Sequence, residues 1–368
     1  MSIAFVAGTT AEVIKLAPVM GELGERGVMY RLWSTDQHVS GMQETLENLS
    51  LRQPDRHLVS PGRRRHVARS SQVPTWVASV LLGALRQRRS LRTDLTAGAT
   101  EPIVVVHGDT FTTVLGALIG RLLGARVAHV EAGMRSGNLR HPFPEELNRR
   151  IVARLATLHY APTAREVANL GRERAPGTIL DTGANTAVDA LRTMLERAPE
   201  EPDLPEVFGL VTLHRFELVS DAKAFRAILE ALSASATPAR PLLMVAGQAE
   251  RAKIGELGLE RLFGEHFRLL GKRPYAEFLP LLRAASFVVT DSGGLQQECA
   301  VLGKPCAVHR QRTESHQGLG ENVVLTGLDT GVVRRFIADW ESYRRPSTLD
   351  LFHPSRLVAI SLIEASGR

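Results

Sequence analysis

The stretch that decides the reading runs from Ile103 to Ile151: IVVVHGDTFTTVLGALIGRLLGARVAHVEAGMRSGNLRHPFPEELNRRI. Its opening IVVV is a continuous apolar run that ends at His107-Gly108-Asp109-Thr110. An amphipathic helix follows, then a second short run, VAHV, ending at Glu131-Ala132-Gly133. A loop containing Gly and Asn leads to Pro144-Glu145-Glu146, which opens another helix. Two strand ends and one helix start therefore each present a carboxylate: Asp109, Glu131 and Glu145. In an open parallel sheet, ligands sit at the carboxyl ends of the strands. Three carboxylates at one edge cost stability, because like charges repel and desolvate badly. The same arrangement suits acid/base chemistry on a C–H or O–H bond. His107 reads as a structural residue. On spacing alone, Glu145 with Arg149 and Glu146 with Arg150 read as i,i+4 ion pairs, each worth a few tenths of a kcal/mol.

Toward the N-terminus, Ile3 to Ala7 is an apolar run that ends at Gly8-Thr9-Thr10, and Glu12, Ile14, Lys15, Leu16, Pro18 and Val19 follow with helical periodicity. This is strand–loop–helix, with a helix N-terminus able to receive a phosphate or a polar sugar group. It matches neither GxGxxG nor GxxxxGK[ST], so dinucleotide and P-loop readings have no support. Tyr30 to Thr35 reads as a strand leading into Asp36-Gln37-His38, residues 54–72 as basic and irregular, and Thr75 to Arg89 as a helix. Toward the C-terminus, Leu158 to Pro162 and Ile179-Leu180 read as strands, the latter ending in Thr182-Gly183-Ala184-Asn185. Strands alternating with helices throughout imply a parallel sheet covered on both faces.

The composition shifts at Ala198 to Pro205 (APEEPDLP), which reads as a linker. Beyond it the grammar repeats. One strand ends in Leu213-His214-Arg215, another in Gly271-Lys272-Arg273-Pro274, and another in Asp291-Ser292-Gly293-Gly294. The last of these is the best nucleotide-site candidate. Two glycines let a backbone approach a diphosphate, Ser292 adds a hydroxyl at a helix N-terminus, and Glu298 one turn in can accept from both ribose hydroxyls. Histidine titrates near neutrality, so His214 can donate to a phosphate or leaving group. The fold class expected is α/β: two Rossmann-like domains with parallel sheets facing a central cleft. The first spans 1–183, the second 184–353, and a last helix at 354–368 returns to the first.

With 368 residues and 44% hydrophobic content, two cores are within reach. The net charge of +6 comes mainly from Arg, in Arg63-Arg64-Arg65 and in Arg86 to Arg92. Without aromatic interleaving, zinc-finger spacing or a helix-turn-helix, these clusters read as solvated loops rather than a nucleic-acid surface. They are compatible with a field that attracts an anionic substrate. Two cysteines, Cys299 and Cys306, form no CxxC and cannot make a metal site alone. No run approaches a membrane span and the first apolar segment is too short for a signal peptide, so a cytoplasmic protein is expected, with no membrane and no nucleic-acid partner.

Taken together, GTTAEVIKLAPV, TDQH, VHGDTFTT, HVEAGMRSG, PFPEELNRR, GANTAVDAL, VTLHR, TDSGGLQQE, GKP and RTE resemble the non-hydrolysing UDP-N-acetylglucosamine 2-epimerase family, of the glycosyltransferase-B fold. The ordered series spans most of the chain. The resemblance implies a nucleotide-sugar enzyme without metal or redox cofactor, in which the C2 proton is removed, UDP is eliminated to a glycal, and both are returned; a base for so weakly acidic a proton implies a carboxyl of raised pKa. It places Asp109, Glu131, Glu145 and His214 at catalytic positions. It places Thr10, Lys15, Arg149, Arg215, Gly271, Ser292, Gly293, Gly294, Glu298, Arg310 and Glu314 around the UDP-sugar, with UDP held mainly by the second domain. It also implies a homodimer, and in bacterial members a regulatory substrate site near Gln37 and His38.

The departures cluster around phosphate and sugar. GTRPE is GTTAE here, putting Thr10 where the family has arginine and Ala11 where it has proline. The paired glutamates after DSGG are Gln297-Glu298, and TERPE is Thr313-Glu314-Ser315-His316-Gln317. The strand ending in His-x-Asn-Pro is Ala246-Gly247-Gln248-Ala249. The alternatives they open are a hydrolysing 2-epimerase that releases the free 2-epimer sugar and UDP, and a related nucleotide-sugar enzyme with a changed sugar.

Overall fold

Apolar runs such as Ile3–Ala7 have no polar side to show to water, so they need cover on both faces. The computed structural model that provides this view describes residues 3–367 apart from 40, 65, 68–69, 97–100, 139–142, 200–202 and 314. The chain divides into two units, Met1–Ala190 with Phe352–Arg368, and Leu191–Leu351.

The first unit carries β1 (Ile3–Ala7), β2 (Tyr30–Ser34), β3 (Arg56–His57), β4 (Ile103–His107), β5 (Arg126–Val130), β6 (Leu158–Ala161) and β7 (Thr178–Asp181). Its helices are α1 (Thr10–Glu25), α2 (Met42–Asn48), α3 (Val73–Arg86), α4 (Arg88–Thr96), α5 (Phe111–Leu122), α6 (Glu145–Leu155), α7 (Ala164–Arg172) and α8 (Ala187–Arg197), in the last of which the chain passes into the second unit. The second unit carries β8 (Gly209–Thr212), β9 (Leu242–Ala246), β10 (Phe267–Gly271), β11 (Phe287–Thr290), β12 (Cys306–Val308) and β13 (Val323–Leu325). With them run α9 (Phe216–Ser220), α10 (Ala222–Ser235), α11 (Gln248–Glu256), α12 (Tyr275–Ala284), α13 (Gly293–Leu302) and α14 (Thr330–Ala338); α15 (Pro354–Ala365) returns to the first unit and packs on α1.

The first sheet has the order β3-β2-β1-β4-β5-β6-β7 and the second β10-β9-β8-β11-β12-β13, with every pairing parallel. Alternate residues of one strand feed opposite cores. Ile3 and Phe5 pack with Leu16 and Leu23 of α1 and Val358 and Leu362 of α15, whereas Ala4 and Val6 pack with Val80 of α3 and Leu115 and Ile119 of α5. Each such fully buried Leu or Ile contributes about 1.5–3 kcal/mol relative to exposure. The second unit repeats the scheme, with Val211 facing α10 and α14 and Leu210 facing α12 and α13.

Both sheets reverse their strand order once, between β1 and β4 in the first and between β8 and β11 in the second. Such switch points open a crevice at the carboxyl edge where ligands bind. The loops after β1 and β4, and after β8 and β11, are those singled out from sequence.

Several expectations are corrected. The Arg86–Arg92 cluster is mostly helical rather than loop, because Leu91 and Leu95 of α4 are buried beneath it and Arg56 pairs with Asp94. Residues 54–72 contain the short edge strand β3. The division between units falls within α8 rather than at 183/184 or in the Pro- and Glu-rich segment. The start of α8 is tied to the first unit where Ser355 N donates to Asp189 Oδ2 (2.7 Å), whereas Leu191 and Leu195 join the second unit's core.

Candidate active site

In the first unit the loop after β1 is shaped by close approach. A Cβ on Gly8 would lie 2.0 Å from Thr35 Oγ1 and 2.3 Å from Thr112 Oγ1, so only glycine fits. Thr9 caps α1, whose first residue is Thr10. Buried Glu12 accepts from the Gly8 and Thr9 backbone N–H groups (2.8 and 2.9 Å) and from Thr110 Oγ1 (2.5 Å), locking the β1 loop to the β4 loop. Burial, only partly offset by these bonds, raises the Glu12 carboxyl above its ordinary range.

One turn further along α1, Lys15 Nζ donates to Glu131 Oε2 (2.7 Å). Parallel register sets His107 opposite Val130, so Glu131, the next residue, comes beside it, with His107 Nε2 3.3 Å from the same Oε2. Asn185, from the loop after β7, donates its Nδ2 to that oxygen as well (2.6 Å). Glu131 sits at φ +65°, a left-handed conformation that costs a side-chain-bearing residue about 1–2 kcal/mol. Burial alone would push its carboxyl up, but the Lys15 ammonium and His107 overcome this and hold it well below the usual carboxylate range. The expectation of a raised pKa is therefore not met at Glu131, because the Lys15 ammonium and His107, rather than an apolar pocket, stand beside it. His107, read from sequence as structural, thus lies beside the Glu131 carboxylate. Behind it, buried His129 offers Nε2 to Gly108 O (2.8 Å). Desolvation lowers its pKa to about 3, so the ring is neutral and donates.

Asp109 follows β4, and Arg149 NH2 donates to its Oδ2 (2.5 Å) while Asn148 Nδ2 donates to its backbone oxygen (2.8 Å). These contacts dock α6 on the β4 loop. Arg149 thus reaches Asp109 and, at 3.6 Å, Glu146; the Glu145–Arg149 pair expected from spacing is replaced, because a carboxylate across the loop is better placed than one along the helix. Arg150 does pair with Glu146 (3.1 Å), which also accepts from Ser136 N. Glu145 opens α6 with a buried Oε2 that has no hydrogen-bond partner among the described residues. On the neighbouring strand end, Gln37 accepts from Thr112 Oγ1 (2.8 Å), and the His38 ring stacks on His66 at 4.9 Å. Desolvation, then His66, lowers the His38 pKa.

In the second unit Thr212 and Thr290 join β8 and β11 through their hydroxyls (2.7 Å). Buried Asp291 then accepts the backbone N–H groups of His214 (2.9 Å) and Arg215 (2.8 Å), folding the β8 loop over the start of α13 and leaving the His214 ring 56% exposed. Ser292 caps α13 by accepting from Leu295 N (3.3 Å). A Cβ on Gly293 would stand 3.6 Å from Arg310 NH1 and one on Gly294 3.8 Å from Ser292 Oγ, both ordinary contacts. The protein does not itself require glycine at either position, which leaves this helix start bare for a ligand. A cavity of about 220 Å³ adjoins it, with Arg215, Asp291 and Arg310 in its wall. Glu298 Oε1 accepts from Tyr275 OH (2.7 Å), so one of its oxygens is already engaged. Gly271 ends the edge strand β10, and the loop after it leads to Tyr275. Buried Gln296 donates to Ser315 O (3.1 Å) and Gln317 O (3.3 Å) and accepts from Thr313 Oγ1 (2.6 Å), which ties these three residues to α13; Glu314 lies outside the described residues.

Sequence reasoning missed the contacts that Asn185, Tyr275, Gln296 and His107 make. Each acts across the fold rather than along the chain. Among the described residues no group of three or more His, Cys, Asp or Glu side chains is arranged to hold a metal ion, and no helix is long and apolar enough to cross a membrane.

The family model described as UDP-N-acetylglucosamine 2-epimerase matches residues 22–345. The chain is 31% identical over 366 residues to the UDP-N-acetylglucosamine 2-epimerase of Yersinia pestis, covering 94% of this chain and 93% of that one. It is 30% identical over 358 residues to that of Bacillus subtilis, covering 93% and 88%. Among solved structures, the UDP-GlcNAc 2-epimerase from Neisseria meningitidis bound to UDP-GlcNAc is similar with a TM-score of 0.79 at 25% identity, over 99% of this chain and 100% of that one. With two doubly wound α/β units, carboxylates at one switch point and a bare helix start at the other, the chain belongs to the UDP-N-acetylglucosamine 2-epimerase family.

Proposed function

We propose that this chain is a non-hydrolysing 2-epimerase that interconverts UDP-N-acetylglucosamine and UDP-N-acetylmannosamine. The observation that carries the reading is the carboxylate set at the first sheet's carboxyl edge. Asp109 is paired with Arg149, Glu131 is held as an anion by Lys15, and Glu145 keeps a buried oxygen without a partner. Inverting C2 means breaking a bond to a weakly acidic proton on one face and remaking it on the other, which takes two acid/base groups.

In the proposed reaction Glu131, already ionised, takes the C2 proton. The C–H electron pair becomes the C1–C2 double bond, and the C1–O bond breaks as UDP leaves with its pair. The return of a proton to the opposite face of C2 is assigned to Glu145, while a UDP phosphate oxygen re-forms the bond to C1. Asp109 and Arg149 line the sugar, with Thr10 at its edge. The leaving diphosphate meets the Ser292 side chain and the N–H groups of Gly293 and Gly294 at the start of α13, with His214, Arg215 and Arg310 adding further donors. Glu298 and Gly271 border the nucleoside, and Glu314 belongs to the same ligand set.

Exposed apolar residues on three neighbouring helices support a homodimer: Leu82 and Leu85 on α3, Leu118 and Leu122 on α5, Leu147 and Ile151 on α6. Exposed apolar side chains on neighbouring helices are a feature of association faces. Gln37 and the His38–His66 stack are the proposed regulatory position. Two free, buried thiols, Cys299 and Cys306, support a cytoplasmic setting.

The test is to incubate the protein with UDP-N-acetylglucosamine and identify products by proton NMR. UDP-N-acetylmannosamine, accumulating to a fixed ratio from either direction, is expected. Free sugar with stoichiometric UDP would show that water, not UDP, closes the second step.

A further inference from the structure

Three side chains converge on one oxygen of Glu131: Lys15 Nζ (2.7 Å) and Asn185 Nδ2 (2.6 Å) donate to Oε2, and His107 Nε2 stands 3.3 Å from it. The other oxygen, Oε1, has no hydrogen-bond partner among the described residues. The groups come from α1, the end of β4 and the loop after β7, so the clamp ties three separate segments to the end of β5. The Asn185 amide cannot be turned round without loss. Its Oδ1 accepts from Ala187 N (3.0 Å), which starts α8, and this obliges Nδ2 to face the carboxylate. His107 is 3% exposed, and its Nε2 lies near Oε2 without completing a hydrogen bond. Collecting an ammonium, an imidazole and a carboxylate in a largely buried place is expensive for stability alone. The left-handed backbone of Glu131 is a second cost at the same residue. Both have a purpose if one oxygen must be fixed so that the other is aimed.

We propose that Asn185 and His107 are positioning residues for the C2 proton transfer, which with Lys15 hold Oε2 of Glu131 and leave Oε1 to meet the substrate. The proposal rests on the 2-epimerase reading above. Losing either contact lets the carboxylate rotate, so the base is present but misaimed. Substrate binding through the second unit is untouched, so the loss falls on kcat rather than KM.

Asn185→Ser and Asn185→Asp test this, because each keeps an oxygen that can cap α8 while removing the amide donor. A kcat about 10–100-fold lower is expected for Asn185→Ser, with KM and UDP affinity unchanged, and a larger loss for Asn185→Asp, which sets a second carboxylate beside the first. His107→Gln, which restores a donor of similar reach, should lose less than His107→Ala. In a Glu131→Gln background, Asn185→Ser should cost nothing further; an equal loss in both backgrounds means a purely structural role and overturns the proposal. A second readout does not depend on turnover. The carbon-13 signal of the Glu131 carboxyl, identified by its disappearance in Glu131→Gln, should titrate about one pH unit higher in Asn185→Ser. The charged or titratable groups packed against it are Lys15 and His107. An unmoved titration overturns the clamp. If the unsubstituted protein leaves UDP-N-acetylglucosamine unchanged while the titration moves, the epimerase reading fails and the clamp stands.

Discussion

The two units share an architecture and differ in what their carboxylates hold. In the second unit Asp291 accepts backbone N–H groups of His214 and Arg215, and Glu12 does the same in the first with Gly8 and Thr9. Such a carboxylate fixes a loop and has no freedom left. Glu131 and Asp109 are held by side chains instead: lysine and asparagine on one, arginine on the other. A parallel sheet with a switch point is a generic holder of ligands. Whether its edge does proton chemistry or grips an anion depends on whether the acidic groups there face side chains or backbone.

The largest effect that would sharpen this contrast is Glu131→Gln, expected to lower kcat by about 10³-fold while UDP still binds, as read by calorimetry. Equal loss of UDP binding would erase the division of labour between the units. Next come two glycines. Gly294→Ala should fold normally, since its Cβ meets nothing closer than 3.8 Å, yet weaken UDP binding about tenfold by crowding the helix start. Gly8→Ala should leave UDP affinity alone and destabilise the first unit by about 1–3 kcal/mol in denaturant unfolding, because its Cβ would collide with Thr35 and Thr112.

The smallest effect is on acid stability. Glu131 binds a proton less readily folded than unfolded, so its stabilisation is present above the ordinary glutamate value of 4.5 and is lost as pH falls through its depressed one. Glu12 is shifted the other way: its favourable term is present below 4.5 and is lost as pH rises through the raised value. Acid-melting curves of Glu131→Gln should therefore fall less steeply below pH 4.5 than those of the unsubstituted protein, and Glu12→Gln should flatten the curve above it. Curves unchanged in both would mean that neither carboxyl is perturbed.

Much of this was legible in the sequence where a feature is local. Unbroken apolar runs ending in His-Gly-Asp or Asp-Ser-Gly-Gly announce strand ends, and strand ends in a parallel sheet announce a site. The bond from Asn185 to Glu131 spans 54 residues and that from Arg149 to Asp109 spans 40, so no local spacing reveals either. The i,i+4 rule favoured Glu145 for Arg149 because it sees only one helix. The Pro-rich segment at 198–205 imitated a boundary, whereas the real passage lies inside α8, where helical propensity is uninterrupted. The edge strands β3 and β13 are two and three residues long, too short to show a period.

The measurement that tests the central claim most directly is the reaction of UDP-N-acetylglucosamine in heavy water, followed by proton NMR at C2. The account predicts deuterium at C2 of every UDP-N-acetylmannosamine formed, because the proton taken by one carboxylate is not the one returned by another. Epimer that keeps its original C2 proton, or no exchange while UDP binds normally, would contradict it.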